Sequence, residues 1–507
     1  MMLERGMRRL GWFGLLATAL GVVGCESYPF LTKTTGSAGT GVFATRDPFV
    51  ENLVQERTFT DGSSVRTRTF LTEDMQRAPY AVDFNGDGKV DPVVGYGGSV
   101  GVIQLLLSQG GAGKVDYVSL TFDGGGGWDE LADVAVGDID GDGALDIVAA
   151  TEKGVVFLHH PKDRTTILRE WGDPEPDNEF LAGSTTTLTN QEIQAILTDA
   201  VPPTVNIADY DVTLKQGYTR VEVADFDNDG AADIVASRRF SMTLSPKSTS
   251  NAEPISIVSG ELQVFLNPGE GATNGQGWQL LTVGRHERFN SLDRPGANGL
   301  MAIDMDGDGD LDLVSAAGQD NNVQVAWFEN PDGPGELVAS DTWTQWRIGS
   351  VRDAYSIDIA DLTGDGNPDV VVTGRNQMQL VLFEHPGGSI QDPDTRDRFE
   401  FDWDSYVLVT FESYQPLDVK VVDVDNDGKA EIVVGGTNGA IRYFESAPNV
   451  RDEWTGVIAM DFAALGNVGL LGYGDLDGDK DIDLVAVLAD PSEELNSRVS
   501  WIRNDLQ

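Results

Sequence analysis

Short apolar or alternating segments recur along the whole chain and are separated by acidic, glycine-rich turns. Residues 220–224 precede one such turn and residues 147–150 follow another. Segments of this length and pattern, bounded by Gly, Asp and Asn, are typical of β-strands in hairpins. Helical periodicity is scarce. Its best example is residues 191–198, where Thr189 and Glu192 are spaced as a capping box, and it is interpreted as an insertion. The sequence therefore predicts an all-β protein.

One nine-residue acidic segment is repeated. It begins at Asp83 and recurs, with small changes, from Asp138, Asp225, Asp304, Asp361, Asp423 and Asp475, at spacings of 52 to 87 residues. After each copy comes a second strand, and most copies are then followed by a third strand with an aromatic ending, such as Trp-Phe-Glu-Asn-Pro at residues 327–331, and by a fourth strand. Units of four strands are the pattern of a propeller blade. The repeat thus predicts a seven-bladed β-propeller with an acidic loop in each blade.

The two ends of the repeat region predict how the ring closes. Residues 501–504 match the third strand of the seventh unit, so that blade lacks its outer strand. Residues 64–71 precede the first loop, where an outer strand belongs. We expect this N-terminal strand to close the last blade, which would remove an open sheet edge. The propeller is assigned to residues 56–507.

The N-terminus carries a targeting signal. Residues 1–24 combine a basic start with a short apolar stretch, as a signal peptide does. Residues 22–25 read Val-Val-Gly-Cys, and a small residue directly before a cysteine at this point resembles the bacterial lipobox. An ordinary signal peptide with a chance cysteine is the alternative, but Cys25 is the only cysteine of the chain. The resemblance implies lipid on Cys25, a tether over residues 25–55, and a membrane-anchored envelope protein. Glu26 offers no inner-membrane retention signal, which favours the outer membrane.

The net charge of the chain indicates which partners it can bind and how its fold is stabilised. A net charge of −47 argues against nucleic acid as a partner. Such acidity also occurs in disordered chains, but 40% hydrophobic residues and 10 Trp do not fit one. A lone cysteine cannot form an intramolecular disulfide. We therefore expect a monomeric ring whose carboxylates are neutralised by bound cations.

Each acidic loop places side-chain oxygens at its first, third, fifth and ninth positions, and 26 of these 28 places are carboxylates. Alternating hard oxygen ligands on a tight turn suit Ca²⁺. Metal-free acidic turns are the alternative, but like charges this close repel by about 1 kcal/mol per pair even in water. We predict up to seven calcium ions. The predicted side-chain ligands are Asp83, Asn85, Asp87 and Asp91; Asp138, Asp140, Asp142 and Asp146; Asp225, Asp227, Asp229 and Asp233; Asp304, Asp306, Asp308 and Asp312; Asp361, Thr363, Asp365 and Asp369; Asp423, Asp425, Asp427 and Glu431; and Asp475, Asp477, Asp479 and Asp483.

This loop pattern, inside a propeller hairpin, resembles the FG-GAP repeat of integrin α-subunits and the related VCBS repeat. The resemblance covers residues from about 60 to 507 and implies calcium bound by the four side chains plus the backbone carbonyl of the seventh position. Those carbonyls belong to Lys89, Ala144, Ala231, Asp310, Asn367, Lys429 and Asp481. Two loops depart from the pattern, because Thr363 removes a charge and Lys480 replaces a glycine.

Little in the sequence indicates catalysis. His160 and His385 occupy the place of Asn267 and Asn330 in the third-strand ending and are interpreted as turn residues, with His159 as a neighbour. Non-repeated arginines gather in loops predicted on the face opposite the acidic loops: Arg238, Arg239, Arg288, Arg294, Arg352 and Arg375. They are predicted to bind an anionic ligand, or else to pair with nearby carboxylates on a solvated rim.

Three functions remain open from the sequence. A binder of a glycan or protein partner is favoured. A propeller enzyme of the polysaccharide lyase or dehydratase type would need an acid or base beside the arginines, for which His286 and Tyr355 are the candidates. A structural scaffold for envelope assembly is the third.

Overall fold

The computed structural model describes residues 50–51, 57–58, 64–65, 68–71, 83–86, 90–97, 102–109, 116–122, 131–160, 179–180, 184, 190–201, 205–247, 253–269, 277–284, 299–319, 322–331, 343–389, 396–399, 402–425, 427–462, 466–476, 482–489, 497–502 and 504. Within these ranges the chain is almost entirely β-structure. The all-β prediction is confirmed.

The described strands form seven four-stranded antiparallel sheets and one two-stranded ribbon. The first strands of the chain are β1 (Val50–Glu51), β2 (Arg57–Thr58) and β3 (Ser64–Val65), and β2 pairs with β3 as the ribbon. Sheet 1 comprises β4 (Arg68–Leu71), β5 (Val93–Gly97), β6 (Val102–Gln109) and β7 (Asp116–Phe122). Sheet 2 comprises β8 (Asp133–Gly137), β9 (Asp146–Ala150), β10 (Val155–Leu158) and β11 (Glu179–Phe180).

The next sheets repeat this plan. Sheet 3 comprises β12 (Tyr210–Ala224), β13 (Asp233–Pro246), β14 (Ile255–Leu266) and β15 (Gln279–Gly284). Sheet 4 comprises β16 (Gly299–Ile303), β17 (Asp312–Gln319), β18 (Asn322–Glu329) and β19 (Thr344–Gly349). Sheet 5 comprises β20 (Ala354–Ala360), β21 (Asp369–Gly374), β22 (Gln379–Glu384) and β23 (Asp404–Thr410).

The last two sheets use the C-terminal strands and β1. Sheet 6 comprises β24 (Pro416–Val422), β25 (Glu431–Gly436), β26 (Ala440–Phe444) and β27 (Gly456–Asp461). Sheet 7 comprises β28 (Asn467–Gly474), β29 (Asp483–Ala489), β30 (Ser497–Ile502) and β1, in the order β28-β29-β30-β1. The described helices are α1 (Asn190–Ala200), α2 (Arg396–Phe399) and two 3₁₀ turns, Ile207–Asp209 and Thr437–Gly439.

The acidic loops connect the first and second strands of their sheets. In sheet 4 the register runs from Gly299 opposite Ala316 to Ile303 opposite Asp312, so the loop leaves the end of one strand and its ninth residue begins the next. Sheets 3, 4, 5 and 6 also share a register shift between their third and fourth strands. Because a bulge bends and twists its strand, the four sheets are shaped alike.

The core lies between neighbouring sheets. One buried cluster joins sheets 4 and 5 through residues such as Trp327 and Phe383, and similar clusters join the other consecutive pairs. The aromatic residues of the third strands were predicted to be core. Phe157, Phe265 and Trp327 are each at most 1% exposed, which confirms that prediction.

Sheets 1 and 7 also contact each other. Phe84 and Val90 share one buried cluster with Leu476 and Val485, and the Val90 N–H donates to the carbonyl of Asp475 at 3.2 Å. The last sheet is completed by an N-terminal strand, but by β1, in which Val50 lies opposite Ser500. The prediction that residues 64–71 fill this place is wrong, because Arg68–Leu71 pairs with β5 in sheet 1 and Ser64–Val65 pairs with β2. Val50–Glu51 fall within the predicted tether, so a strand forms there.

Sheet 3 extends beyond its neighbours. Eight further residue pairs, from Tyr210 opposite Pro246 to Gly217 opposite Arg239, prolong β12 and β13 away from the acidic loop. At about 3.3 Å per residue they add roughly 25 Å. Helix α1 packs on this extension, with Leu197 buried against Met242 and Leu244. The helix predicted at residues 191–198 is confirmed as an insertion, while Thr189 lies outside the described residues. No helix of the described ranges is long and apolar enough to cross a membrane.

Candidate metal centres in the acidic loops

The first aspartate of each loop organises the turn. In the fourth loop Asp304 Oδ1 accepts hydrogen bonds from the N–H groups of Gly307 (2.8 Å) and Asp308 (3.2 Å), and Oδ2 accepts one from Gly309 (3.1 Å). Gly307 and Gly309 have φ angles of 76° and 99°, where a side chain is disfavoured. Asp361 makes the same three bonds in the fifth loop. The loop therefore folds around its first carboxylate.

The ninth residue of each loop is a buried carboxylate that joins the loop to the third strand. Asp312 is 2% exposed; its Oδ2 accepts from the Met305 N–H at 3.0 Å and its Oδ1 from the Asn330 N–H at 2.7 Å. Both bonds recur at Asp146, Asp233, Asp369 and Asp483, and the first of them at Asp91 and Glu431. This residue is thus a structural hydrogen-bond acceptor as well as a predicted ligand.

The residue that ends the third strand links one acidic loop to the loop of the preceding sheet. Asn330 Nδ2 donates to the carbonyl of Phe226 in the third loop at 2.9 Å and to that of Leu311 in its own loop at 3.0 Å. Asn267 reaches Ile139 of the second loop at 2.6 Å, and Asn504 reaches Val424 of the sixth at 2.9 Å. The sequence showed that this Asn recurs but not that it connects neighbouring sheets.

A histidine serves the same purpose in sheet 5. His385 Nε2 lies 2.9 Å from the carbonyl oxygen of Met305, and its Nδ1 accepts from the Gly387 N–H at 3.0 Å. In sheet 3 the Oδ1 of Asn267 accepts from the Gly269 N–H in the same way. The imidazole therefore makes the amide's bond to the preceding loop and its bond to the residue two positions on, as expected of a turn residue.

Side-chain oxygens of the first, third and fifth positions converge. In four loops one oxygen from each lies within 4.8 Å of the others: Asp138, Asp140 and Asp142; Asp225, Asp227 and Asp229; Asp304, Asp306 and Asp308; and Asp423, Asp425 and Asp427, joined in this last loop by Glu431. Among the described residues, Asp306 Oδ2 is buried and has no hydrogen-bond partner. A buried carboxylate oxygen without a partner is costly, and a cation beside it would supply the missing interaction.

Burial and mutual repulsion hold these carboxyl groups back from ionisation. Burial, with the neighbouring Asp308 adding to it, raises the pKa of Asp306 to about 7. Burial also raises the pKa of Asp233 to about 8 and that of Glu431 to about 8. A bound cation reverses this effect, because it stabilises the charged form of each carboxylate. The loops therefore have the electrostatics of cation sites.

The comparison with known families agrees with the loop geometry. The sequence model of the FG-GAP-like repeat family matches residues 58–149 and 304–372, which contain the first, second, fourth and fifth loops. These segments are FG-GAP-like repeats. The third, sixth and seventh loops lie outside the match but make the same bond to their ninth residue. The chain thus combines FG-GAP-like repeats in these two segments with seven successive four-stranded sheets.

Two solved structures to which the chain is similar have little sequence in common with it. The structure described as "Structure of Dos1 propeller" is 10% identical, covers 82% of this chain and 77% of its own, and gives a TM-score of 0.42. "YCF48 from Cyanidioschyzon merolae" is also 10% identical, covers 86% of this chain and 96% of its own, and gives a TM-score of 0.40. No curated protein matches the chain.

Some predicted ligands of the acidic loops fall outside the described residues. These are Asp87 and Lys89 in the first loop and Asp477, Asp479 and Asp481 in the seventh. In the fifth loop the Thr363 N–H donates to Asp369 Oδ2 at 2.9 Å. In the fourth, Asp310 Oδ1 accepts a 2.6 Å hydrogen bond from Asn228 of the third loop, so these two loops touch.

The second FG-GAP-like repeat has an imidazole beside its loop. His159 Nδ1 lies 3.2 Å from Asp140 Oδ2 and 3.4 Å from Asp146 Oδ1. The hydrogen bond to Asp146 raises the pKa of His159, whereas burial raises the pKa of both aspartates. From the sequence, His159 is only the neighbour of a turn residue, and its place two residues after the buried Phe157 is the sequence signal for its position beside the loop.

Two of the arginines predicted on the opposite face pair with carboxylates. Arg238 is 7% exposed, lies 3.5 Å from Glu261 and contacts the ring of Phe240. Arg375 makes two hydrogen bonds to Asp353, of 2.7 and 3.2 Å. These two guanidinium groups pair with buried carboxylates, as the alternative of ion pairs on the rim expects. Binding of an anionic ligand by the arginines stays a prediction.

The rest of that predicted site is divided. Arg239 is half-buried in the extension of sheet 3, and Arg352 lies on the loop before β20. Arg288, Arg294 and the candidate acid or base His286 lie outside the described residues. The other such candidate is Tyr355. The guanidinium carbon of Arg375 lies over its ring, 4.5 Å from the ring centroid. Arg375 and Tyr355 are therefore neighbours, and the Arg375 N–H also donates to the carbonyl of Asp353, the residue after Arg352.

Buried aspartates on the first strands connect neighbouring sheets and were missed in the sequence. Asp133 Oδ2 accepts from the Val221 N–H of sheet 3 at 3.1 Å. Asp358 does the same for Val421 at 2.6 Å, and Asp418 for Leu471 at 2.7 Å. In the sequence these residues can be recognised as an aspartate three or five positions before the first residue of an acidic loop. These contacts hold the inner edges of adjacent sheets together.

Proposed function

We propose that this protein is a calcium-stabilised, seven-bladed propeller, anchored to the cell envelope by lipid on Cys25, that binds a glycan or protein partner. The observation that carries the proposal is the repeated convergence of side-chain oxygens in the acidic loops, within 4.8 Å in four of them. A propeller with FG-GAP-like repeats is a rigid scaffold suited to binding and recognition, since such scaffolds position loops for contact with partners.

The residues fit calcium. The donors of the third, fourth and sixth loops are carboxylates, the hard oxygens that Ca²⁺ prefers. The buried Asp306 Oδ2 in the fourth loop accepts no other hydrogen bond among the described residues. Calcium bound there would supply the positive charge that keeps these carboxylates ionised. The chain itself holds the first carboxylate through three backbone N–H groups and the ninth through two.

The contact between sheets 1 and 7 supports a closed ring of seven blades. The cluster around Phe84, Val90, Leu476 and Val485 is apolar and buried, like those between the other neighbouring sheets. The pairing of β1 with β30 adds an outer strand to the seventh blade. With seven repeated sheets and no disulfide possible from one cysteine, calcium is the stabilising element that this sequence offers.

A face for the partner is suggested by the extension of sheet 3. It lies at the end of the sheet away from the acidic loop and carries exposed side chains, including Asp211, Val212, Thr213 and Lys215. Val212 is one of the most exposed large apolar residues among those described, at 40%. The extension has its own small core with α1, so it can present these side chains rigidly.

Two measurements test the proposal. Elemental analysis after dialysis against Ca²⁺ should find several calcium ions per chain, and a chain without bound calcium would refute the calcium reading. Screening the mature protein on glycan and protein arrays, with and without Ca²⁺, should reveal a partner bound in a calcium-dependent way. A double variant in which Val212 and Lys215 are each changed to Asp should lose that binding while its calcium content stays unchanged. This result would locate the partner on the extension of sheet 3.

A further inference from the structure

One acidic loop differs chemically from the others. The residue one position before the strand-ending Asn or His lies next to the loop, and in sheet 2 it is His159. In the sequence the equivalent residues are Leu266, Glu329, Glu384, Glu445 and Arg503. Of these six side chains, His159 is the one with an imidazole, and its Nδ1 lies close to the carboxylates of the second loop.

The atoms around His159 are arranged as ligands of one ion. His159 Nδ1, a carboxylate oxygen of Asp140 and one of Asp146 all lie within 4.8 Å of one another. The nitrogen is 3.2 Å from Asp140 Oδ2 and 3.4 Å from Asp146 Oδ1. Ligand atoms about 2.1 Å from a shared zinc-sized ion lie roughly 3–3.5 Å apart, so these separations need little adjustment.

The supporting bonds fix the two carboxylates. The Asp146 side chain is 1% exposed, and accepts from Ile139 N–H at 2.9 Å and from His160 N–H at 2.6 Å. The Asp140 side chain is 7% exposed, and its other oxygen, Oδ1, accepts from Asp142 N–H at 3.1 Å. Such outer bonds orient metal ligands and contribute to affinity. His159 itself follows the buried strand β10 and rests beside Phe157, 6.2 Å between ring centroids.

We propose that the second loop binds a divalent transition metal ion, of which Zn²⁺ is the type, through His159 Nδ1, Asp140 and Asp146. Imidazole is a common ligand of zinc and its neighbours, whereas calcium takes oxygen ligands. Three protein ligands leave room for water at the ion. Because Asp140 is also a predicted calcium ligand, the two ions compete for this loop. The proposal goes beyond the calcium function and stands or falls separately from it.

The competing explanation is that a protonated His159 serves as a fixed counter-charge for the two aspartates. It predicts the opposite response to metal. A protonated imidazole excludes a cation, so replacing His159 with Leu would then improve metal binding by the loop. Ligation predicts instead that the replacement removes it.

The experiment is a Co²⁺ titration of the full mature chain, freed of metal and then held in a large excess of Ca²⁺. We expect one Co²⁺ to bind, with visible d–d absorption of a nitrogen-containing site, and Zn²⁺ to displace it. His159→Leu should weaken Co²⁺ binding by more than the roughly 10–100-fold lost with an outer partner. His159→Glu, which copies the residue of sheets 4 to 6, should do the same. The control is His385→Asn, which removes an imidazole from a different sheet and should leave Co²⁺ binding intact.

A second readout needs no variant. The chain has four histidines, so ring ¹⁵N spectra are simple, and Zn²⁺ should shift the Nδ1 resonance of one of them, His159. Failure to bind Co²⁺ or Zn²⁺ in excess Ca²⁺, or equal binding by His159→Leu, would overturn the proposal. Calcium content, measured in parallel, separates the two accounts: it should fall by one ion when Zn²⁺ is added. Zinc bound without any calcium would refute only the calcium function.

Discussion

The imidazole Nε2 of His385 lies 2.9 Å from the carbonyl oxygen of Met305, a residue of the preceding acidic loop. The N–H of Met305 donates to Asp312, and the N–H of His385 donates to Asp369. A continuous series of hydrogen bonds thus runs from the ninth residue of one loop to that of the next. Burial lowers the pKa of His385, which keeps the ring neutral with one donor and one acceptor.

Replacing His385 tests this connection between loops. His385→Leu removes both hydrogen bonds of the ring and leaves the Met305 carbonyl buried, so the free energy of unfolding should fall by about 1–3 kcal/mol. His385→Asn can keep both bonds, as Asn267 does, and should cost less, although it gives up ring contacts with Phe399 and Trp403. Chemical denaturation of the three proteins in saturating Ca²⁺ measures the difference. Equal losses for Leu and Asn would show that the ring acts by packing alone.

The fourth loop should depend on its central carboxylate. Asp308→Ala removes one of three converging acids and should lower the calcium content by one ion. For an ion present at about 100 times its dissociation constant, the loss of stability is roughly 2.7 kcal/mol. Asp308 Oδ1 accepts a hydrogen bond from the Asp310 N–H at 2.9 Å. Asp308→Asn keeps an acceptor for this bond but removes the negative charge, so it distinguishes the effect of the charge from that of the hydrogen bond.

The seventh loop offers a comparison for this variant. Lys480 stands where the other loops have glycine, so Asp479→Ala should reduce calcium content and stability less than Asp308→Ala. Calorimetry and elemental analysis of both variants would check the order. If the two substitutions have the same effect, the departure at Lys480 has no influence on calcium binding.

The repeat itself could be predicted from the sequence because each loop needs particular residues at fixed positions. Asp at the first place accepts three backbone hydrogen bonds, and glycine at the fourth and sixth places adopts positive φ in the fourth and fifth loops. These local requirements leave a pattern that any one copy shares with the others. The same holds for the buried aromatic residues of the third strands.

Long-range pairings left no such pattern. The closing strand β1 has two residues, too few to show alternation, whereas residues 64–71 form a longer run with strand-forming residues and pair elsewhere. The sequence suggests that Arg375 is an unpaired charge, whereas in the structure it pairs with Asp353, 22 positions away. His159 is a candidate metal ligand only because the fold places Asp140 and Asp146 next to it. Such relationships depend on the packing of whole strands.

Removal of metal should invert the pH dependence of stability. Without a cation the pKa values of Asp233 and Glu431 are about 8 in the folded protein, against about 4 for unfolded carboxyl groups. The folded state then binds protons more tightly than the unfolded state. This contribution to stability is present below about pH 4 and is lost as the pH rises towards 8.

The calcium-loaded protein should behave differently. Ligands must be ionised, so the stability gained from calcium should grow over the same pH range. Denaturation at several pH values in EGTA and in Ca²⁺ gives two curves that should diverge as the pH rises. Parallel curves would mean that these carboxyl groups are not linked to metal binding.

The central claim is that bound calcium replaces disulfides in holding the blades together, and its most direct test is thermal unfolding of the mature protein with and without EGTA. Several ions bound only by the folded state should make the melting temperature fall by at least about 10 °C in EGTA. Added Ca²⁺ should restore it, and Mg²⁺ should do so poorly because it demands a stricter geometry. The same melting temperature in EGTA and in Ca²⁺, together with no calcium by elemental analysis, would contradict the account.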